Sequence, residues 1–227
     1  MYRIRPDPGS WIDELEPELA SWVRGRMRRR VYQDGEVLSP AWEPIQGVYE
    51  IYRGSIKIMA SSADGREMIL NVISAGHTMN ETPIISERGI MGTSAVCVGE
   101  TEVGLLLADD FKQLCIDHPA INAHLARRLA MRNAATYNQL IDAGLHRLEL
   151  RLAFLVYTYA REDEAGVNRM PFTQDDLANM SGVSRQSINR VIRTWEAEGL
   201  IELGYGHLKI PDFPALLNFA QSDKNTA

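Results

Sequence analysis

The pattern of hydrophobic and polar positions changes twice along the chain, and each change predicts a different kind of element. Up to Val23, apolar residues recur at three- and four-residue steps, which predicts an N-terminal helix within residues 1–30. From Val31 to Leu107 the apolar residues form short runs that Gly-containing turns separate. Short strands at such spacing are typical of an antiparallel sandwich or barrel, and a jelly roll is the form of it that protects its edges.

The helical period returns after Leu107. It predicts a helix from Phe111 to about Asp117 and, after Pro119, a long helix from Ala120 to about Ala143. Two sets of residues make an imperfect seam along the long helix: Leu125, Leu129, Thr136, Leu140 and Ala143, and the small Ala126, Ala130, Ala134 and Ala135. Because the chain has no second long helix to cover it, we expect this seam to pair with a second copy. The alternative is that the helix packs on the barrel. Residues 144–146 are predicted to form a hinge.

The stretch from Phe172 to Gly199 has the pattern of a helix-turn-helix. Thr173 and Asp176 have the spacing of a capping box, Gly182 suits a tight turn, and Ser184 is placed to cap a second helix. The apolar positions of that second helix lie on one stripe, formed by Ile188, Val191, Ile192 and Trp195. Two short apolar runs, 200–203 and 207–210, flank a Gly-rich turn and predict a β-wing.

The opposite face of the second helix is polar. It carries Arg185, Gln186, Ser187, Asn189, Arg190 and Arg193. Such side chains can hydrogen-bond base edges or phosphates when a helix enters a major groove. The alternative is a polar face that only contacts solvent. The absence of any acidic residue from Arg185 to Thr194 favours nucleic-acid binding.

Composition narrows the class of protein. The net charge of −6 argues against a protein that coats nucleic acid without sequence preference. Two cysteines do not form a disulfide framework, so we expect a reducing compartment. The sequence has no signal-peptide pattern and no apolar run of about 18 residues, as a membrane span would require. We therefore expect a soluble, cytoplasmic protein without a membrane partner.

The order of these elements predicts an α+β protein of three parts. We expect an N-terminal antiparallel β jelly roll with flanking helices (residues 1–118), a long central dimerisation helix with a hinge (119–145) and a C-terminal winged helix-turn-helix (146–227). The chain resembles the Crp/Fnr family of bacterial transcription regulators. The resemblance is carried by Gly47–Gly76, which includes Arg53-Gly54-Ser55 and Asp64-Gly65-Arg66, and by Val183–Arg190. It implies a homodimer on a near-palindromic double-stranded DNA operator, with RNA polymerase as a further partner.

The resemblance also implies roles for single residues of the helix-turn-helix. Arg185 and Arg190 stand at the positions of the family's base-reading arginines, and Gln186 stands where many members have Glu. A Gln pairs with adenine whereas a Glu accepts from cytosine, so we expect an altered operator preference. Thr173 and Gln174 are expected to contact phosphates, which position the protein without specifying sequence. The full predicted DNA-binding set is Thr173, Gln174, Ser184, Arg185, Gln186, Ser187, Asn189 and Arg190.

The predicted effector pocket departs from the family's pattern. Members that bind cyclic nucleotides have Gly-Glu, Arg-Ser and hydroxyl residues where this chain has Asn80-Glu81, Thr93-Ser94 and Arg132-Asn133. Loss of the arginine removes a charged hydrogen bond worth roughly 1.5–3 kcal/mol, which argues against cyclic AMP. Arg88 or Arg132 could instead reach into the pocket. A regulator that binds a cyclic nucleotide in a divergent pocket stays open as an alternative.

The numbers and positions of cysteine and histidine limit which metal-containing cofactors the chain could use as a sensor. A family iron–sulphur cluster needs four cysteines, and this chain has two. Haem stays open as a cofactor, with axial candidates His77, Met79, Cys115, His118 and His124. His77 joins the predicted pocket because it lies beside the turn that precedes Asn80, although a lone turn histidine is also ordinary surface. The thiol of Cys115 and the imidazole of His118 are too few for a zinc site. A cupin-type metalloenzyme is the enzyme alternative, but we expect no enzyme and no metal site.

Overall fold

The computed structural model describes residues 9–162, 168–170, 172–204 and 207–222. These residues form two compact units, which divide within the long helix between Thr136 and Tyr137.

The first unit is built around an antiparallel sheet. Its strands are β1 (Arg28–Tyr32), β2 (Val37–Ser39), β3 (Gly47–Ser61), β4 (Glu67–Ser74), β5 (Thr78–Met79) and β6 (Ser94–Leu107). Its helices are α1 (Pro17–Arg26), α2 (Glu81–Ile85), α3 (Ala108–Asp117) and the start of α4 (Ala120–Leu145), and a 3₁₀ turn covers Trp11–Glu14.

Two long strands organise this sheet. Strand β6 pairs with β1, β2 and β3, and β3 also pairs with β4 and β5, all antiparallel. Register shifts interrupt the β3–β6 ladder at Arg53, so each strand can bend and serve two parts of the sheet. One core, around Tyr49, Ile56 and Leu105, lies along the strands, and a second joins the sheet to α1, α3 and α4. The predicted antiparallel β unit is therefore observed.

The N-terminal segment differs from the predicted single helix. A short 3₁₀ turn is followed by α1, which begins at Pro17, where the fixed backbone of proline suits a first helical position. The last residues of the predicted helical range, Arg28–Arg30, lie in strand β1, because their backbone pairs with β6. Arg29 makes an ion pair with a residue of β6, since its Nη1 lies 2.5 Å from Glu102 Oε1.

Helix α4 is longer than predicted and continues through Gly144 to Leu145. The expectation that Leu125 belongs to a seam facing a second copy is wrong, because Leu125 is buried in the core of the first unit together with Trp11 and Ile121. Ala135 is also buried. The exposed apolar or small positions of α4 include Ala126, Ala130, Tyr137, Leu140, Ile141 and Leu145.

The second unit begins at Tyr137, within α4. It contains α5 (Leu148–Tyr159), β7 (Arg161–Glu162), β8 (Asn168–Met170), α6 (Gln174–Ser181), α7 (Arg185–Ala197), β9 (Glu202–Gly204), β10 (His207–Ile210) and α8 (Phe213–Gln221). Strands β9 and β10 confirm the predicted wing, while its turn at 205–206 lies outside the described residues. Strands β7 and β8 were not predicted. Strand β8 pairs with β10, and β7 pairs with the other side of β8, so the wing becomes part of a four-stranded sheet.

None of the helices in the described part of the chain has an apolar stretch long enough to cross a membrane.

Candidate nucleic-acid interface and effector site

Local hydrogen bonds set the geometry of the helix-turn-helix. The backbone N–H of Asp176 donates to Thr173 Oγ1 at 3.1 Å, and the N–H of Thr173 donates to Asp176 Oδ2 at 3.1 Å. This reciprocal pair confirms the predicted capping box at the start of α6. Gly182 ends the helix with φ +65°, a left-handed conformation that favours glycine. The hydroxyl of Ser184 then accepts from the N–H of Ser187 at 3.2 Å and caps α7.

Helix α7 has the two faces that its sequence predicts. Ile188, Val191, Ile192 and Trp195 are buried and anchor the helix on the second unit. The opposite face carries the exposed side chains of Arg185, Gln186, Asn189, Arg190 and Arg193, whereas Ser187 is half-buried. Thr173 is exposed and Gln174 half-buried at the start of α6. The predicted DNA-binding residues therefore lie at the N-terminal ends of two neighbouring helices and along one face of α7.

Two arginines of this face are paired with carboxylates. Nη1 of Arg185 lies 3.1 Å from Oδ2 of Asp175, which belongs to the first turn of α6. Nη1 of Arg193 lies 2.8 Å from Oε2 of Glu196 within α7. Arg190 makes no ion pair with any residue in the described ranges. Sequence analysis missed Asp175, although the negative charge next to the capping residue Asp176 was a readable signal.

The effector-pocket residues Asn80 and Glu81 lie where β5 passes into α2. Asn80 has φ +74°, a left-handed backbone conformation that glycine adopts readily, and it stands where the resemblance places a glycine in cyclic-nucleotide-binding members. Asparagine is among the few other residues that adopt this conformation readily. Glu81 is 2% exposed. A buried carboxylate requires a partner, because burial without one costs several kcal/mol.

That partner is Arg132 of α4. Its Nη1 lies 3.1 Å from Glu81 Oε2, and its Nη2 donates to the carbonyl oxygen of Thr78 at 2.9 Å. Arg128, one helical turn earlier, is also buried and donates to the carbonyl oxygen of Gly9. These two arginines tie α4 to the segment around β5 and α2. Of the two arginines considered from the sequence, Arg132 is the one that reaches Glu81.

The other pocket residues have separate surroundings. Ser94 Oγ accepts from the backbone N–H of Ala41 at 3.1 Å, and Thr93 is half-buried just before β6. Asn133 is exposed, since it lies about 100° around α4 from Arg132. Nδ1 of His77 lies 3.0 Å from the carbonyl oxygens of both Ser74 and Ala75.

The haem candidates are engaged with the protein itself. Met79 is buried in the core along the strands, and Nδ1 of His124 lies 2.8 Å from Glu14 Oε2. The ring of His118 packs edge-on against Trp22. Burial raises the pKa of the Cys115 thiol to about 11, and burial also raises that of Cys97 to about 11, so both are protonated at neutral pH. Met79 and the protonated Cys115 are therefore poor candidates for an axial haem ligand, whereas the contacts of His77 and His124 are made by Nδ1, which leaves Nε2 as the ring atom that could bind iron. Among the described residues, no group of three or more His, Cys, Asp or Glu side chains is placed to hold a metal ion.

Comparison with known proteins covers both units. The model of a Crp-like helix-turn-helix domain matches residues 150–219, and that of a cyclic nucleotide-binding domain matches residues 29–118. The cAMP-activated global transcriptional regulator CRP of Pasteurella multocida is 25% identical over 191 residues, which are 82% of this chain and 91% of that protein.

Solved structures show the same fold. The c-di-GMP responsive global regulator CLP of Xanthomonas campestris is 18% identical, has a TM-score of 0.74 and covers 86% of this chain and 99% of its own. FixK2 of Bradyrhizobium japonicum is 16% identical and has a TM-score of 0.77, and the match covers 86% of this chain and 98% of the FixK2 chain.

These findings confirm the predicted α+β fold class and set aside the cupin-type enzyme, because the relatives are transcription regulators. A helix-turn-helix with an exposed polar recognition face follows a domain of the cyclic-nucleotide-binding type, and relatives match over most of the chain. The chain therefore belongs to the Crp/Fnr family of DNA-binding transcription regulators.

Proposed function

We propose that this protein acts as a homodimer that binds a near-palindromic DNA operator and responds to a signal received in its β domain. The exposed polar face of α7 is the observation that carries the proposal. At its proposed reading positions it combines Arg185 and Arg190 with Gln186 and Asn189, side-chain types that pair with guanine and adenine in the major groove. Thr173 and Gln174, at the start of α6, supply phosphate contacts that set the register of the helix.

Two copies are needed because one helix reads only a half-site. Helix α4 supports the pairing of two copies. Besides the residues that it buries in the first unit, it exposes Ala126, Ala130 and Asn133 and then Tyr137 and Leu140, which follow one another at steps of four, three, four and three residues. This spacing is that of a coiled-coil seam, in which small residues permit close approach. Tyr137 and Leu140 are 60% and 64% exposed in the single chain.

The signal is proposed to differ from cyclic AMP. Glu81 Oε2 is already engaged by Arg132, and Thr93 offers no charge to a cyclic phosphate. Related proteins of this fold are named for different nucleotides, cAMP in one and c-di-GMP in another. A change of ligand at this site would therefore be in keeping with the fold.

A cyclic-nucleotide regulator with a divergent pocket is the second candidate. Glu81 Oε1 and Asn80 Nδ2 are buried and have no hydrogen-bond partner among the residues that the structure describes, so a small polar ligand that offers both a donor and an acceptor would satisfy them. Thermal unfolding with cyclic AMP or cyclic GMP distinguishes the two candidates. We expect no shift in midpoint with cyclic AMP; a saturable upward shift would favour the second candidate.

The experiment for the main proposal is selection of bound duplexes from a random DNA pool at low salt. We expect a sequence with two-fold symmetry to be enriched. Arg185→Ala and Arg190→Ala should each reduce discrimination between the selected duplex and a shuffled one by about 1–3 kcal/mol per lost base contact. Arg193→Ala is the matched control on the same helix, because its guanidinium is paired within α7 and it lies beyond the proposed reading positions. Enrichment of no sequence would contradict the proposal.

A further inference from the structure

We propose that Asp175 is a specificity-determining residue of this regulator, which holds the Arg185 side chain in position to read a base. This inference rests on the proposed function and adds a residue of α6 to the reading surface. The observation behind it is the ion pair between Arg185 Nη1 and Asp175 Oδ2, which are 3.1 Å apart. The pair joins the first turn of α6 to the first residue of α7 across the Gly182 turn.

Asp175 does not take part in capping α6, so helix capping does not account for its position. The neighbouring Asp176 closes the capping box with Thr173, and Asp175 makes no contribution to it. Both side chains of the pair are open to solvent, with 66% of Arg185 and 60% of Asp175 exposed. An exposed pair of this kind adds little to stability, since side-chain entropy and solvent offset most of its attraction. Its effect is therefore to be sought in how it directs the guanidinium.

The geometry of the guanidinium suits this role. Arginine has five N–H donors in a planar fork, and one carboxylate contact leaves others available. In Arg185 the contact is made by Nη1, while Nε and Nη2 form no hydrogen bond with any described residue. A guanidinium held on one side loses less conformational freedom when its free edge meets guanine O6 and N7. Asp175 thus favours the bound rotamer before DNA arrives.

The charge of Asp175 has a second effect, on affinity for any duplex. Its neighbours Thr173 and Gln174 are the proposed phosphate contacts, so a carboxylate beside them lies close to the DNA backbone. Its negative charge weakens phosphate attraction, on which binding to random DNA almost wholly depends. The operator carries the same backbone, so this repulsion cancels in the ratio of operator to random affinity. The effect of Asp175 on that ratio therefore passes through Arg185.

The test is an anisotropy titration of full-length protein with a duplex selected by the wild type and a shuffled duplex of the same composition. Asp175→Asn removes the charge and keeps the shape. We expect it to lower the affinity ratio by about two- to fivefold, the size of an exposed ion pair. The salt dependence of binding to shuffled DNA should become steeper, because one opposing charge is gone.

A double-mutant cycle separates the effect of Asp175 on Arg185 from the general repulsion between its carboxylate and DNA phosphates. In an Arg185→Ala background, Asp175→Asn should leave the affinity ratio unchanged. Glu196→Gln is the matched control, since it breaks the Arg193 pair on the same helix and should also leave the ratio unchanged. A ratio that survives Asp175→Asn, or that falls equally in both backgrounds, overturns the inference. If the wild type itself does not discriminate between the two duplexes, the proposed function fails and the inference fails with it.

Discussion

Under the proposed function, single side chains at the start of α7 decide which bases the regulator reads. Gln186 is exposed beside Arg185, and its amide offers both a donor and an acceptor. Adenine presents the complementary pair at N7 and N6 in the major groove, whereas a carboxylate accepts from cytosine N4. The chemistry of this one position is therefore expected to separate the operator from those of relatives that have Glu here.

We predict that Gln186→Glu moves the preferred base at one symmetric pair of operator positions from adenine to cytosine. The preference between adenine and cytosine should change by about 1–3 kcal/mol per position, because each good side-chain pairing with a base edge discriminates against the wrong base by about this amount. Selection from a random pool with both proteins measures it. Unchanged preference at every position would remove Gln186 from the reading surface.

Arg132 and Glu81 are expected to contribute to stability, since they form an ion pair in which the carboxylate is buried. Arg132→Ala leaves a carboxylate that is 2% exposed without its cation, and we predict a loss of about 3–5 kcal/mol in the free energy of unfolding. Glu81→Gln combined with Arg132→Met should recover most of this loss, since neither charge is then buried. Denaturant unfolding is the measurement. Asn133→Ala, an exposed neighbour, is the control and should stay within about 0.5 kcal/mol of wild type.

At the scale of elements, the turn between α6 and α7 sets the angle at which the reading helix is presented. Gly182 has φ +65°, and the N–H of Val183 then donates to the carbonyl oxygen of Ala178 at 3.2 Å. Helix α7 starts two residues after the glycine, at the cap Ser184. A side chain at position 182 would be strained irrespective of the space around it.

We predict that Gly182→Ala destabilises the second unit by about 1–2 kcal/mol, because a left-handed backbone is costly for alanine. Gly25→Ala is the matched control. Gly25 lies within α1, and a Cβ there meets nothing within 4 Å, so the change should stabilise by up to about 1 kcal/mol. Thermal unfolding followed by circular dichroism compares the two. Equal effects of the same sign would contradict the assigned backbone of Gly182.

At the scale of the whole molecule, the proposed homodimer would bind its operator through the α7 helices of both copies acting together. A two-fold axis in the protein then matches the symmetry of the DNA site. Linked binding of two half-sites exceeds the affinity of one by a factor on the order of 10²–10⁴. The proposed α4 seam is therefore as important to recognition as the bases that α7 contacts.

We predict that Leu140→Asp yields a monomer and weakens operator binding by roughly a hundredfold or more. The reason is that a carboxylate in the middle of an apolar seam loses its hydration when two helices pair. Sedimentation at micromolar concentration and anisotropy titration measure the two effects. Ile116→Asp is the matched control, since Ile116 on α3 is 68% exposed, close to the 64% of Leu140. A dimer that persists in Leu140→Asp would contradict the proposed seam.

Much of the second unit was predictable because its signals are local. The capping box of Thr173 and Asp176, the Gly182 turn and the buried stripe of α7 all join residues no more than a few positions apart. Spacing along the chain is enough to recognise such patterns. The predicted reading face is exposed for the same reason, since burial of one side of an amphipathic helix leaves the other side in solvent.

The pairing of distant segments was not predictable in this way. Arg28–Arg30 form a strand because β6, some 70 positions further along, accepts their backbone. Strand β8 forms because β10 offers it an edge, and the charged Arg161 and Glu162 form β7 because β8 in turn offers an edge to them. A short segment with weak propensity takes the structure that its partner imposes.

By itself, the sequence determined the class of fold, the course of the helix-turn-helix and the side chains that α7 presents, because periodicity, caps and turns act within a few residues. Only the tertiary structure decided that Leu125 belongs to the core, that Arg132 neutralises Glu81 and that Asp175 pairs with Arg185. Each of these depends on which residues meet across a turn or across the sheet. Burial and charge pairing depend on contacts between residues that are distant in the sequence, and local sequence patterns do not reveal those contacts.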